Sequence, residues 1–219
     1  FPSSRECKMA ERRQMFRWLL GGSAGIALGM PVFRANAMPS IAADAWLDDL
    51  APRKQKAFLD IPTVFVDGTP FRRANALLTA FTTSYGMAGS DVGIAFGAHG
   101  GALAYLMSPD GWKEFGLLDR VANGLRPEDA VKLRAMGAAA SAIGVDGVKD
   151  IRAKGMRVLA CRNTMGRWSR DIAAARQVSA DSVLKQLEQA LHPGVEPVPA
   201  MISAAVLAQS RGLAYVSIA

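Results

Sequence analysis

Gly155-Met156-Arg157-Val158-Leu159-Ala160-Cys161-Arg162-Asn163-Thr164 decides how this chain is read. The mostly apolar run over 156–160 predicts a short strand. Before it, 141–154 carries Ile143, Val148 and Ile151 at helical spacing, and Gly155 closes that helix. After it, a polar segment opens at Cys161 and leads to a helix near 168–176. Helix, strand and helix in this order are the unit of a parallel sheet.

The same alternation extends in both directions. Strands are predicted over 61–66, 91–98, 195–198 and 213–218. The segment 72–85 is read as a helix with Ala76, Leu77, Ala80 and Phe81 on one stripe and Gly86 at its end. Short helical turns fit 101–107 and 110–115. Pro127-Glu128-Asp129 starts another helix, with proline in the first turn and acids at the positive end of the dipole. Ser179 caps a helix that turns Val183, Leu184, Leu187 and Leu191 inward, and 200–211 is a helix ended by Gly212. The expectation is an α/β fold: a single compact domain, 61–219, with a largely parallel five-stranded sheet and helices on both faces.

Ahead of this domain, residues 1–37 read as an export signal of the twin-arginine type. Arg12-Arg13-Gln14-Met15-Phe16-Arg17 is followed by an uncharged stretch over 18–33 and by the small residues of Ala35-Asn36-Ala37. Met9 is the expected initiator, and cleavage is expected after Ala37. A membrane anchor would need roughly 20 apolar residues, and this stretch is shorter, glycine-rich and interrupted by Pro31. A periplasmic or otherwise exported location follows. Residues 38–60 read as an N-terminal arm. Trp46, Leu47, Leu50, Phe58 and Leu59 give it apolar contacts, and Arg53, Lys54 and Lys56 form a solvated helix face.

Charge narrows the function. The formal net charge is +7. Arg5, Lys8, Arg12, Arg13, Arg17 and Arg34 against Glu6 and Glu11 place +4 of it in the signal. The remaining +3 is too little to argue for nucleic-acid binding. Once Cys7 leaves with the signal, Cys161 is the one thiol and no internal disulfide can form. Gly97 to Gly101 lacks the dinucleotide glycine spacing, and no phosphate-loop lysine follows it. Two histidines and one cysteine are a poor zinc set. No cofactor or metal is expected.

Parallel sheets hold ligands beyond the carboxyl ends of their strands. Two polar segments leave strand ends on that edge: Gly97-Ala98-His99-Gly100-Gly101 and Cys161-Arg162-Asn163-Thr164. A helix start and the nearby Arg162, Arg167 and Arg170 favour a thiolate, the nucleophilic form of cysteine. Asn163 and Thr164 offer donors to a sulfur anion or an oxyanion. The alternative is that Cys161 is a small buried core residue. His99 either exchanges protons at this edge or fixes the turn through backbone hydrogen bonds, and Gly100 and Gly101 permit close backbone approach. His192 belongs to the opposite edge, without a chemical role. Tyr105, Trp112 and Trp168 are read as core in preference to pocket walls.

These stretches carry a family resemblance. Ala98-His99-Gly100-Gly101, the segment from Gly155 to Thr164, Arg72-Arg73-Ala74-Asn75, His192-Pro193-Gly194-Val195 and Gln209-Ser210-Arg211-Gly212-Leu213-Ala214-Tyr215 resemble the DsrE/DsrF-like proteins, in particular exported members with a twin-arginine signal. The resemblance runs from about Trp46 to the end. It implies a compact, largely parallel α/β fold and a homo-oligomer, trimer or hexamer. It also implies sulfur carriage as a persulfide on a cysteine in the position of Cys161. The expected partner is a small sulfur compound or a sulfur-carrier protein. In that role Cys161 and His99 would be catalytic, and Arg162, Asn163, Thr164, Gly100 and Gly101 would bind the ligand. The rival expectation is a non-catalytic oligomeric binding or assembly module with Cys161 in the core.

Overall fold

Hydrophobic runs buried on both sides dictate the centre of the molecule. The computed structural model describes residues 45–219. The expected export signal, its expected cleavage site and Cys7 lie outside the described residues. Five strands form one sheet: β1 (Gln55–Ile61), β2 (Val92–Ala98), β3 (Arg157–Cys161), β4 (Glu196–Val198) and β5 (Ala214–Ser217). Their order is β4-β3-β2-β1-β5, and every pairing is parallel. All seven residues of β2 are buried, as expected of a central strand covered on both faces.

The helices are α1 (Ala45–Leu50), α2 (Thr69–Thr79), α3 (Pro109–Glu114), α4 (Leu117–Ala122), α5 (Pro127–Met136), α6 (Ala139–Ala153), α7 (Arg162–Arg176), α8 (Ala180–Gln189) and α9 (Met201–Ser210). A single 3-10 turn over Gly89–Asp91 and a seven-residue 3-10 helix over Gly100–Leu106 join them, and a π-turn over Ala80–Ser84 extends α2.

Crossover handedness sorts the helices into two unequal layers. The chain steps β1 to β4 in one direction, and right-handed crossovers put the connecting helices on one face. There Phe71, Leu133, Ile151, Trp168 and Leu187 pack on Ile61, Phe96 and Val158. The connection from β4 back to β5 runs the other way, so α9 lies on the opposite face, beside α1. This thinner layer packs Trp46, Leu47, Leu50, Met201, Ala204 and Ala208 onto Phe58, Ala95 and Leu159.

The structure bears out the predicted fold class and corrects its first strand. Of the run 61–66, only Ile61 is strand and 62–66 is a loop. Pro62 has no N–H for a ladder, and the buried Tyr105 hydroxyl holds the amide and carbonyl of Phe65 instead, each at 2.5 Å. The strand is Gln55–Ile61, so the described part of the expected arm, 45–60, belongs to the domain. Trp46, Leu47 and Leu50 are each 1% exposed, and Lys54 and Lys56 flank the start of β1 instead of lying on a helix face. Helix α2 begins three residues earlier than expected, which turns Phe71 and Ala74 inward and leaves Ala76 exposed. Helix α7 follows β3 directly, with Cys161 as its N-cap and no intervening loop. Tyr105, Trp112 and Trp168 are core, as expected.

Gly97 sets the depth of the thin layer. A Cβ on it would stand 2.5 Å from Met201 Sδ and 2.9 Å from Phe58 Cζ. The absence of a side chain is what lets α9 approach the sheet. Gly97→Ala is expected to lower stability by ~1–3 kcal/mol, the usual cost of overpacking, read as a lower urea midpoint with an unchanged slope. An unchanged midpoint would contradict this close approach.

Candidate functional site

Residue parity along the strands builds the site. Alternate side chains of a strand point to opposite faces. The register pairs Asp60 with Gly97, Gly97 with Leu159, Phe58 with Tyr215 and Cys161 with Val198. Asp60, Cys161 and Tyr215 therefore share the face of α9. Ala98 pairs with Ala160, so His99 and Cys161 leave neighbouring strands at the same level.

A cleft of about 490 Å³ opens there. Asp60, His99, Gly100, Cys161, Asn163, Thr164, Arg167 and Tyr215 line one side. Met201, Ile202, Ala205, Val206 and Gln209 of α9 line the other. Its position beyond the carboxyl ends of parallel strands is where this architecture holds ligands.

The polar side is a small network. His99 Nε2 stands 3.1 Å from Asp60 Oδ1. Oδ1 is buried and receives no aligned hydrogen bond, so this is a close polar contact instead of an in-line bond. The Tyr215 hydroxyl donates to Asp60 Oδ2 at 2.7 Å, and its ring stacks on Phe58 with centroids 6.4 Å apart. Burial pushes the Asp60 carboxyl up, and the contacts from His99 and Tyr215 outweigh it, holding the carboxyl below its ordinary value. The bond to Asp60 also raises the Tyr215 hydroxyl. The His99 amide donates to the Ile61 carbonyl, so the histidine fixes the turn as well. Gly100 follows with φ +54°, and its Cβ would lie 2.5 Å from the Pro62 carbonyl oxygen. Only glycine suits that place.

Cys161 is 5% exposed and packs with Val198 and Met201 while lining the cleft. Its side chain accepts no capping hydrogen bond from α7. The Asn163 amide donates instead to the Pro199 carbonyl at 3.1 Å. Thr164 Oγ1 accepts from the Gly100 amide at 3.2 Å, tying the two polar segments together.

Two expected ligand residues are off the cleft. Arg162 Nε is 2.5 Å from Glu188 Oε1, drawn to α8 by that ion pair. Gly101 turns toward Val64 and Val121 on the other face. Of the bases near Cys161, Arg167 is the one on the cleft. Asp60 and Tyr215 were not anticipated, because misplacing β1 put Asp60 outside the sheet. The apolar run Ala57-Phe58-Leu59 just before it was the available signal. His192 lies at the opposite edge, as expected. Its amide donates to the Leu106 carbonyl, and burial lowers its imidazole pKa.

No protein-family model matches the chain, and no curated protein is similar to it. Among solved structures it is similar to a protein of unknown function, MTH1491 from Methanobacterium thermoautotrophicum. Identity is 15% and the TM-score 0.42, over 75% of this chain and 99% of that one.

The depressed Asp60 carboxyl has a signed consequence. A carboxyl with a folded pKa below its unfolded value stabilises the fold fully above about pH 4 and loses that contribution as pH falls through the folded pKa. The stability gap between wild type and Asp60→Asn should therefore hold at mildly acidic pH and shrink on further acidification. Urea titrations at several acidic pH values read it, and a gap independent of pH would contradict the assigned contacts.

Proposed function

We propose that this chain is an exported sulfur-handling protein of the DsrE/DsrF-like type, in which Cys161 takes up sulfane sulfur as a persulfide or holds a sulfur oxyanion. One observation carries the reading. Cys161, the one cysteine of the described residues, lines a strand-end cleft at the level of His99. A nucleophile with a titratable neighbour in a cleft is the arrangement that thiol chemistry requires.

The step is a thiol–persulfide exchange. The Cys161 thiol gives its proton to His99, and the thiolate attacks the outer sulfur of a donor R–S–SH. The donor S–S bond breaks, R–S⁻ leaves with the electron pair, and His99 returns the proton to it as R–SH. One S–S bond is exchanged for another, without net oxidation. Arg167 supplies the positive charge nearest the anion in this reading, in place of Arg162.

Self-association and export belong to the same proposal. Ile202, Val206 and Leu207 on α9 are 77%, 61% and 43% exposed, beside the open edge of β5. An apolar face next to an unpaired strand edge suits a second copy of the chain. Ile202 and Val206 also line the cleft, so in this reading the site borders the proposed contact. The twin-arginine pattern supports export. The burial of Cys161 favours a second reading, a non-catalytic oligomeric binding module with the thiol as core.

Intact mass after incubation with a polysulfide separates the two readings. The proposal predicts a reducible gain of one sulfur atom, lost in Cys161→Ser, with the folded spectrum retained. No adduct on the folded wild type moves Cys161 to the core. Separately, Ile202→Asp with Val206→Asp should reduce the molar mass found by light scattering to that of one chain. A wild type that is already monomeric contradicts the assembly.

A further inference from the structure

We propose that Asp60 is a positioning residue of this cleft, holding the His99 imidazole in one tautomer, with Nε2–H toward Oδ1 and Nδ1 left as the proton-accepting nitrogen. The inference deepens the sulfur-exchange reading and rests on it for its purpose, while its geometry stands on separate observations.

The carboxylate is fixed from three sides. Its Oδ2 accepts from the Tyr215 hydroxyl at 2.7 Å, and that ring is stacked on the buried Phe58. Its backbone carbonyl accepts from the Ile218 amide at 2.9 Å, and its strand lies between β2 and β5. With Oδ2 and the main chain held, Oδ1 has a fixed place, and His99 Nε2 stands 3.1 Å from it.

Charge is the second argument. The Asp60 side chain is 16% exposed, and its one ion-pair partner among the described residues is His99. No lysine or arginine neutralises it. Its charge is held instead by the contacts from His99 and Tyr215, which outweigh burial. A negative charge at this place has a use when the imidazole becomes positive, which is when His99 takes the thiol proton. A histidine whose second nitrogen is held by a carboxylate is fixed in both orientation and tautomer.

The charged and titratable groups facing His99 are few. Asp60 comes from β1, Tyr215 from β5, Cys161 from β3 and Arg167 from α7, while α9 contributes none. Tyr215 acts through Asp60, as a clamp on Oδ2.

Long-range proton–nitrogen NMR of ¹⁵N-histidine protein tests this without any sulfur donor, with His99 assigned by its loss in His99→Gln. At a pH where the ring is neutral, wild-type His99 should be in the Nε2–H form. Asp60→Asn should give a mixture of tautomers, and Tyr215→Phe a smaller change in the same direction. The Nδ1–H form in wild type overturns the proposal, and this readout needs no change at Asp60. So does an unchanged tautomer in Asp60→Asn.

Sulfur-uptake rates supply the second readout. Asp60→Asn should slow uptake by on the order of 10- to 100-fold, the scale of outer partners of a working histidine. Asp60→Asn combined with His99→Gln should be no slower than His99→Gln alone, whereas additive losses would overturn a role through His99. If wild type takes up no sulfur but its tautomer responds as described, the sulfur reading fails and the positioning of His99 by Asp60 stands.

Discussion

The pairing of β1 with β2 is the constraint on which the rest depends. Asp60 sits opposite Gly97 and Ile61 opposite Ala98. In this register Ile61 enters the larger core, and Asp60 reaches the cleft with His99 and Tyr215. A slip of one residue would exchange the faces. It would drive a carboxylate into the apolar cluster around Phe71 and Phe96, at a cost no hydrogen bond there offsets. The register also places Gly97, which has no side chain, beneath Met201, where α9 must come close.

Connection handedness then decides which face carries the site. Most helices crowd onto one side, because four successive strands are laid down in one direction. The single return connection leaves α1 and α9 to cover the other side. Two helices do not close the strand ends, and the gap between α9 and the ends of β1, β2, β3 and β5 is the cleft. The same thin covering leaves Ile202, Val206 and Leu207 exposed. Cleft and apolar face thus have one cause.

Much of the fold was legible because strands 2 to 5 are short apolar runs between helices of clear period. Strand β1 was not. Lys54 and Lys56 gave its start a solvated look, while Ile61 to Val66 offered a β-branched run in the wrong place. Proline at the second position of that run was the warning, since it cannot donate to a ladder. The site was legible where chemistry stands at a strand end. His99, Gly100, Cys161, Asn163 and Thr164 meet on the cleft. Arg162 and Gly101 do not, because an ion pair to Glu188 and the alternation of faces carry them elsewhere. Adjacency in sequence implied neither the partner of a long side chain nor its face. Asp60 and Tyr215 are 155 positions apart, and their meeting depends on the return of β5 beside β1.

The account turns on whether Cys161, though nearly enclosed, is open to reagents through the cleft. The rate of its alkylation by iodoacetamide in the folded protein, against the same chain unfolded in urea, measures this most directly. The account predicts clear modification of the folded protein, slowed by filling the cleft through Ala205→Trp and unaffected by changes at the opposite edge near His192. A folded protein whose Cys161 reacts only at the rate of global unfolding would contradict it, and would make the cysteine a packing residue.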